Sequence, residues 1–109
     1  MKPKAIPDEV RKKVQEIVER FNSQISRRSD CYYVPRFHGK YLYLDRSYYG
    51  NVGAICRLAY TGKIDNWEFA IFKWSSETYD PEEWMFPGSD LVDGTIEGAM
   101  KAGLEAYPA

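Results

Sequence analysis

Four short segments rich in aromatic and β-branched residues follow one another through the middle of the chain, with glycine-containing turns between them. They cover residues 31–37, 41–48, 54–60 and 67–75. Such segments are typical of β-strands, and short turns of this kind join the strands of a hairpin. The pattern therefore predicts a four-stranded antiparallel meander. Pro35 cannot donate a ladder hydrogen bond, so we expect the first strand at an edge.

An amphipathic helix is predicted before the meander. Pro7, Asp8 and Glu9 are typical of a helix start, and apolar residues then recur at helical spacing. We expect this helix to end between residues 24 and 26, where a polar link over residues 26–30 begins.

A second helix is predicted near the C-terminus, from residues 93–95 to about residue 107. Gly98 and Gly103 lie inside it, and each costs about 1 kcal/mol relative to alanine. Because something must offset that cost, we expect this helix to approach the sheet, the first helix or a second copy closely.

The segment between the strands and the second helix, residues 76–94, is predicted to be a long acidic loop. Within it, residues 80–83 (Asp-Pro-Glu-Glu) have the pattern of one capped helical turn. A loop of this length in a small domain is either functional or a lid over part of the core. We therefore predict a single α+β domain over residues 1–109, with an N-terminal helix, a four-stranded antiparallel β-meander, a long acidic loop and a C-terminal helix.

Side chains alternate across a strand, so the predicted sheet has two unlike faces. With His38 opposite Tyr41, and Leu44 opposite Leu58, one face is almost wholly apolar, and we expect the first helix to cover it. In this register Asp45 faces Arg57, which predicts a cross-strand ion pair. The other face interleaves aromatic, charged and a few aliphatic side chains, namely Tyr32, Val34, Arg36, His38, Tyr41, Tyr43, Asp45, Ile55, Arg57, Glu68, Phe72 and Trp74.

Large aromatic side chains on a face outside the main core need a partner. One alternative is that the C-terminal helix or the long loop covers them. The other is that they contact a ligand, a protein partner or a second copy of the chain. Aromatic residues and arginine are enriched in interface cores, which agrees with the second alternative. The candidate binding residues are Arg36, Tyr41, Tyr43, Asp45, Arg57, Phe72 and Trp74.

The overall charge narrows the classes of partner. The formal net charge is −1, whereas nucleic-acid-binding domains usually carry a strong basic excess. The low net charge therefore disfavours nucleic acid as a partner. No apolar run approaches the roughly 20 residues that span a bilayer, so no membrane contact is predicted. The first ten residues lack the apolar stretch of a secretory signal, and we expect a cytoplasmic protein.

Residue types that carry catalysis or bind metals are sparse. His38 is the single histidine, and it falls in a predicted turn. Cys31 and Cys56 lie in apolar strand patterns, so they are predicted to be small core residues with free thiols. None of the three has the spacing of metal ligands. We therefore predict no catalytic residue, no metal and no cofactor.

The function predicted from these observations is a small cytoplasmic binding or protein-interaction module that self-associates through the aromatic and charged sheet face or the C-terminal helix. One alternative is a small enzyme that binds a small molecule in a pocket between the sheet and residues 76–94, with Tyr43, Asp45, Arg57 and Glu68 as its polar groups. A second alternative is binding of single-stranded nucleic acid on the sheet.

Overall fold

In the computed structural model, which describes residues 5–25 and 31–108, a helix, an antiparallel sheet and a second helix follow one another. The elements are α1 (Asp8–Ile25), β1 (Cys31–His38), β2 (Tyr41–Tyr48), β3 (Asn51–Lys63), β4 (Asn66–Lys73), β5 (Thr78–Asp80) and α2 (Ile96–Ala106). The predicted α+β class, with a helix before and after the sheet, is confirmed. The predicted polar link over residues 26–30 lies outside the described residues.

The sheet has five strands in the order β1-β2-β3-β4-β5, so the predicted count of four was wrong. The fifth strand, Thr78–Asp80, lies within the segment that was predicted to be a loop, and it places Tyr79 opposite Phe72. Three residues are too few to display the alternation that identifies a strand in sequence. The expected position of β1 at an edge of the sheet is confirmed.

The segment after β5 differs from the prediction in a second respect. Residues 81–82 form a turn rather than a helical turn, and Asp80 Oδ1 accepts a hydrogen bond from the Glu82 N–H at 2.9 Å. An aspartate that bonds the backbone two residues ahead favours a turn. A short 3-10 helix forms later, at Ser89–Leu91.

The strand register agrees with the prediction between β1 and β2, where His38 pairs with Tyr41. Between β2 and β3, however, Leu58 lies opposite Leu42 rather than Leu44. The turn there is the tight pair Tyr49-Gly50, with φ values of 51° and 82°, which is shorter than the gap between the predicted strands 41–48 and 54–60. As far as the pair Leu44 and Cys56 the register differs by two residues, so the side chains there stay on their predicted face.

A β-bulge changes the position of one predicted residue. Leu44 pairs with Cys56 and Asp45 pairs with Ala54, which leaves Ile55 as an extra residue in β3. A bulge redirects side chains. Ile55, predicted on the aromatic and charged face, is instead 4% exposed and packs in the main core.

Both helices pack on the same face of the sheet. Leu42, Leu44 and Leu58 on that face join a core cluster with residues of α1 and α2. The predicted coverage of the apolar face by α1 is confirmed. The two predicted core cysteines, Cys31 and Cys56, are buried and free. Within the described residues, neither helix is long and apolar enough to cross a bilayer.

Side chains of β1 and β2 hold the C-terminal half of α2 by hydrogen bonds. The Tyr33 hydroxyl donates to the Met100 carbonyl oxygen at 2.7 Å. The guanidinium of Arg46, which is 8% exposed, donates to the carbonyl oxygens of Gly103 and Tyr107. A cation near the last carbonyl groups of a helix is stabilising.

The two glycines of α2 lie where the helix approaches its neighbours closely: Gly103 faces the sheet, as expected, whereas Gly98 faces the segment of the 3-10 helix. A Cβ atom on Gly103 would stand 2.6 Å from Ile55 Cγ2. A Cβ atom on Gly98 would stand 2.7 Å from the Leu91 carbonyl oxygen. Neither position has room for a side chain, which explains why glycine is tolerated inside the helix.

Candidate functional site

The sheet face that points away from α1 and α2 carries a connected group of aromatic rings and guanidinium groups. Successive side chains of a strand point to opposite faces, so neighbours of the core leucines in β2 and β3 point away from the helices. In the part of the chain that the structure describes, no helix lies on this side. We call it the open face, and its members are Arg36, Tyr41, Tyr43, Asp45, Arg57, Phe72 and Tyr79.

The two arginines of the open face lie against tyrosine rings. The guanidinium carbon of Arg36 is 4.3 Å from the centre of the Tyr43 ring. The guanidinium carbon of Arg57 is 4.4 Å from the centre of the Tyr41 ring and 5.4 Å from the centre of the Tyr79 ring. Each contact is a cation–π interaction, which contributes about 0.5–1 kcal/mol at an exposed site.

Edge contacts between rings connect these pairs into one layer. Tyr43 and Tyr79 are centred 5.3 Å apart at 65°, and Phe72 and Tyr79 are 5.0 Å apart at 64°. Both pairs have the edge-to-face arrangement that aromatic rings prefer. With Arg36 on β1 and Arg57 on β3, all five strands contribute to the layer.

The predicted ion pair between Asp45 and Arg57 was wrong, because the register of β2 and β3 places Tyr43, and not Asp45, opposite Arg57. Asp45 instead pairs across β1, where Arg36 Nε donates to Asp45 Oδ2 at 3.1 Å. This hydrogen bond raises the pKa of Arg36. The second carboxylate oxygen, Oδ1, is buried and has no hydrogen-bond partner.

Tyr79 belongs to the open face and was missed in the sequence. Burial among its neighbours raises the pKa of its hydroxyl. The available signal was the pair Thr78 and Tyr79, two good strand formers after the polar run Ser75-Ser76-Glu77. That signal was weak because it spans so few residues.

Trp74 lies at the border of the open face. It follows the last residue of β4, is 52% exposed, and its ring is 4.9 Å from that of Phe72. The indole also reaches Gly53, where a Cβ atom would be 3.3 Å away, and it borders hollows next to Tyr107. The structure therefore brings six of the seven predicted binding residues together and places Trp74 beside them.

The open face offers hydrogen-bond donors and hydroxyl groups more than free ring faces. Arg36 lies over the ring of Tyr43 and Arg57 over that of Tyr41, so each ring already has a cation stacked on it. Bases of a single strand need uncovered ring faces for stacking. Tyr41 and Tyr43 therefore offer less ring surface for stacking than two uncovered rings would.

The four polar residues of the predicted enzyme pocket are divided between two places. Tyr43, Asp45 and Arg57 are on the open face, whereas Glu68 borders a hollow of about 390 Å³ that also includes Trp84. Among the described residues, no group of three or more histidine, cysteine, aspartate or glutamate side chains could hold a metal ion.

Comparison with known proteins adds no further constraint. No protein-family model, curated protein or solved structure matches the chain. The function of the chain must therefore be inferred from the geometry of the open face and of the hollows beside α2.

Proposed function

We propose that this chain is a small protein-interaction module that self-associates through its open face. The observation that carries the proposal is the continuous layer of arginine and aromatic side chains, to which all five strands contribute, on the side of the sheet away from both helices. The free, buried cysteines agree with the cytoplasm as the predicted compartment.

The composition of the layer supports a protein contact. Tyrosine and arginine are among the residues that contribute most to interface energies. Tyr43 and Tyr79 are held against each other, and Arg36 is held by both Tyr43 and Asp45. These side chains therefore lose little conformational entropy when a partner binds, which favours affinity.

The size of the face is sufficient for a dimer. Five strands about 4.8 Å apart, of 3 to 13 residues and eight on average, at about 3.4 Å per residue, give at most roughly 600 Å² per copy. Two copies packed face to face would bury at most roughly 1,200 Å², the lower end of the range for stable interfaces. We therefore expect a dimer of moderate affinity.

The charges support a second copy as the partner. The open face carries Arg36, Arg57 and Asp45. In a two-fold dimer the same patch meets itself, so a face with both signs of charge can place the cations of one copy against the acids of the other.

Sedimentation equilibrium of the wild type and of Tyr43→Ala combined with Arg57→Ala tests the proposal. We expect a dimer in the wild type and a dissociation constant at least about 100-fold weaker in the variant, because each truncated side chain lies at the centre of the face. Circular dichroism checks that the variant still folds. Tyr49→Ala, at the exposed β2–β3 turn, is the control and should dimerise like the wild type.

A wild type that stays monomeric at about 1 mM contradicts self-association, because affinities weaker than this are seldom specific. Unfolding of the double variant would show that the face contributes to the core. Tyr79→Phe, which keeps the ring and removes one hydroxyl, then replaces it as the test.

A further inference from the structure

A cleft on the helix side of the sheet combines apolar walls with two exposed apolar side chains at its rim. It lies between the end of β4, the chain that follows β5 and the last turn of α2, and its volume is about 360 Å³. Ile71, Phe86 and Ala106 line it. Trp74 and Met85, also part of its lining, are 52% and 94% exposed. Exposed apolar residues around a concavity mark interaction sites.

The wall of the cleft that follows β5 is held in place. The Phe86 ring stacks on Phe69 with centres 5.8 Å apart at 23°. Gly88, with a φ of 93°, lies so close to α2 that a Cβ atom there would be 2.6 Å from Glu105 Cβ. The Met85 N–H donates to Glu83 Oε1 at 2.8 Å. The cleft is therefore preformed, which lowers the entropic cost of binding.

A second hollow continues the cleft. It has a volume of about 300 Å³ and shares Trp74 and Tyr107 with the first. Val52, which is 62% exposed, stands at its far side. Trp74 stands between the two adjoining hollows. Together they fit an extended segment that places an apolar side chain in each.

The chain beside the first hollow is acidic, whereas Lys73 lines that hollow and Arg46 lines the second. Lys73 Nζ lies 3.2 Å from Glu83 Oε2 and 3.7 Å from Asp80 Oδ2, so two acids surround one cation. The hydrogen bond from the Met85 N–H and the contact with Lys73 lower the pKa of Glu83, which keeps its carboxylate ionised at neutral pH. Residues 76–94 contain six acidic residues and no lysine, arginine or histidine.

We propose that this cleft binds an extended segment of a partner protein in which apolar anchor residues are flanked by lysine or arginine. The anchors occupy the two hollows on either side of Trp74, and the basic residues face the acids after β5. Met85 suits this role because its unbranched thioether side chain adapts to different anchors. The cleft lies on the helix side of the sheet, so this inference does not depend on self-association through the open face.

Selection of random dodecapeptides displayed on phage against the full chain tests the inference. We expect the enriched peptides to contain one or two aromatic or aliphatic residues beside lysine or arginine. Synthetic copies should bind the wild type in fluorescence anisotropy and bind Met85→Ser about tenfold more weakly. Tyr32→Ser, a substitution at an exposed residue of β1 on the opposite edge of the sheet from the cleft, is the matched control and should bind like the wild type.

Charge and location are tested separately. Glu83→Gln should weaken binding of the basic peptides, and so should a rise in salt from about 50 to 500 mM, because salt screens exposed charges. Tyr43→Ala with Arg57→Ala should leave peptide binding unchanged even if it abolishes dimerisation, which separates this inference from the proposed function. The inference is overturned if no peptide is enriched, if the enriched peptides are acidic or uncharged, or if Met85→Ser binds them as the wild type does.

Discussion

The guanidinium of Arg36 lies over the ring of Tyr43, with 4.3 Å between its central carbon and the ring centre. The same guanidinium donates to Asp45, which is only 14% exposed. One side chain thus connects the edge strand β1 to an aromatic ring and a carboxylate of β2. This contact holds the guanidinium of Arg36 and the carboxylate of Asp45 in place on the open face.

Arg36→Lys should weaken dimerisation about tenfold, because lysine keeps the charge but cannot lie flat on a ring. The free energy of unfolding should change by less than about 1 kcal/mol, since Arg36 is 54% exposed and its ion pair is at the surface. Sedimentation equilibrium and urea unfolding measure the two effects. Arg20→Lys, the same change on the exposed side of α1, is the control. If Arg36→Lys dimerises with the same dissociation constant as the wild type, Arg36 does not contribute to the interface.

Gly103→Ala should lower the free energy of unfolding by about 1–3 kcal/mol, although alanine is the better helix former. The new Cβ atom would stand 2.6 Å from Ile55 Cγ2, so α2 must move away from the bulge in β3. Urea unfolding measures the change, and Glu105→Ala on the exposed side of α2 should stay within about 0.5 kcal/mol of the wild type. A stabilised Gly103→Ala variant would show that α2 is packed more loosely than described.

Asn22 protects the outer edge of the sheet. Its amide donates to the Tyr33 carbonyl oxygen at 2.9 Å and accepts from the Tyr33 N–H at 2.7 Å, as a neighbouring strand would. Together with Pro35, which has no N–H, it leaves the edge of β1 poorly suited to pairing with another strand.

Asn22→Ala should therefore lower the free energy of unfolding by about 1–3 kcal/mol and promote aggregation, because two backbone groups of Tyr33 lose their partner. Asn22→Asp keeps the acceptor but loses the donor, so its free energy of unfolding and its tendency to aggregate should lie between those of the wild type and those of Asn22→Ala. Urea unfolding and light scattering over time measure these effects. Ser23→Ala, on the exposed side of α1, is the control, and equal light scattering from Asn22→Ala and the control would exclude a protective role.

The contribution of Tyr33 to the stability of the fold should fall as the pH rises above about 10, the ordinary pKa of tyrosine. Burial raises the pKa of the Tyr33 hydroxyl, so this group is neutral in the folded chain over a range in which it ionises in the unfolded chain. Its contribution is fully present below the ordinary pKa and is lost as the pH rises towards the folded-state pKa. Burial raises the pKa of Cys56 as well, in the same direction.

Tyr33→Phe should be less stable near pH 7 by about 1 kcal/mol, because the hydrogen bond to Met100 is lost. Above pH 10 the free energy of unfolding of the variant should fall less steeply than that of the wild type. The two slopes should differ by up to about 1.4 kcal/mol per pH unit. Urea unfolding at a series of pH values gives both slopes. Parallel curves for the two proteins above pH 10 would mean that Tyr33 does not contribute to alkaline unfolding.

Local patterns predicted much of this fold. The bounds of α1 and β2 agree with the sequence because helical spacing, a capped start and strict alternation are signals that lie within each element. The division of the sheet into two faces was also correct for most residues, since a two-residue error in register leaves every side chain on its own side.

The features that could not be predicted depend on contacts between distant segments. Ile55 changes sides because of a bulge, and nothing in β3 alone marks where a bulge falls. Arg46 stands on the apolar face because its partners are carbonyl groups at the C-terminal end of α2, about sixty residues away in sequence. Tyr79 joins the open face through a strand that exists only because β4 is beside it.

Nuclear Overhauser effects between copies test the central claim most directly, in an equimolar mixture of isotopically labelled and unlabelled chains. If the open face is the dimer interface, protons of Tyr43 and Tyr79 on one copy should show cross-peaks to protons of the open face on the other. Cross-peaks confined to residues of α1 or α2, or a chain that remains monomeric at the concentration of the experiment, would contradict self-association through this face.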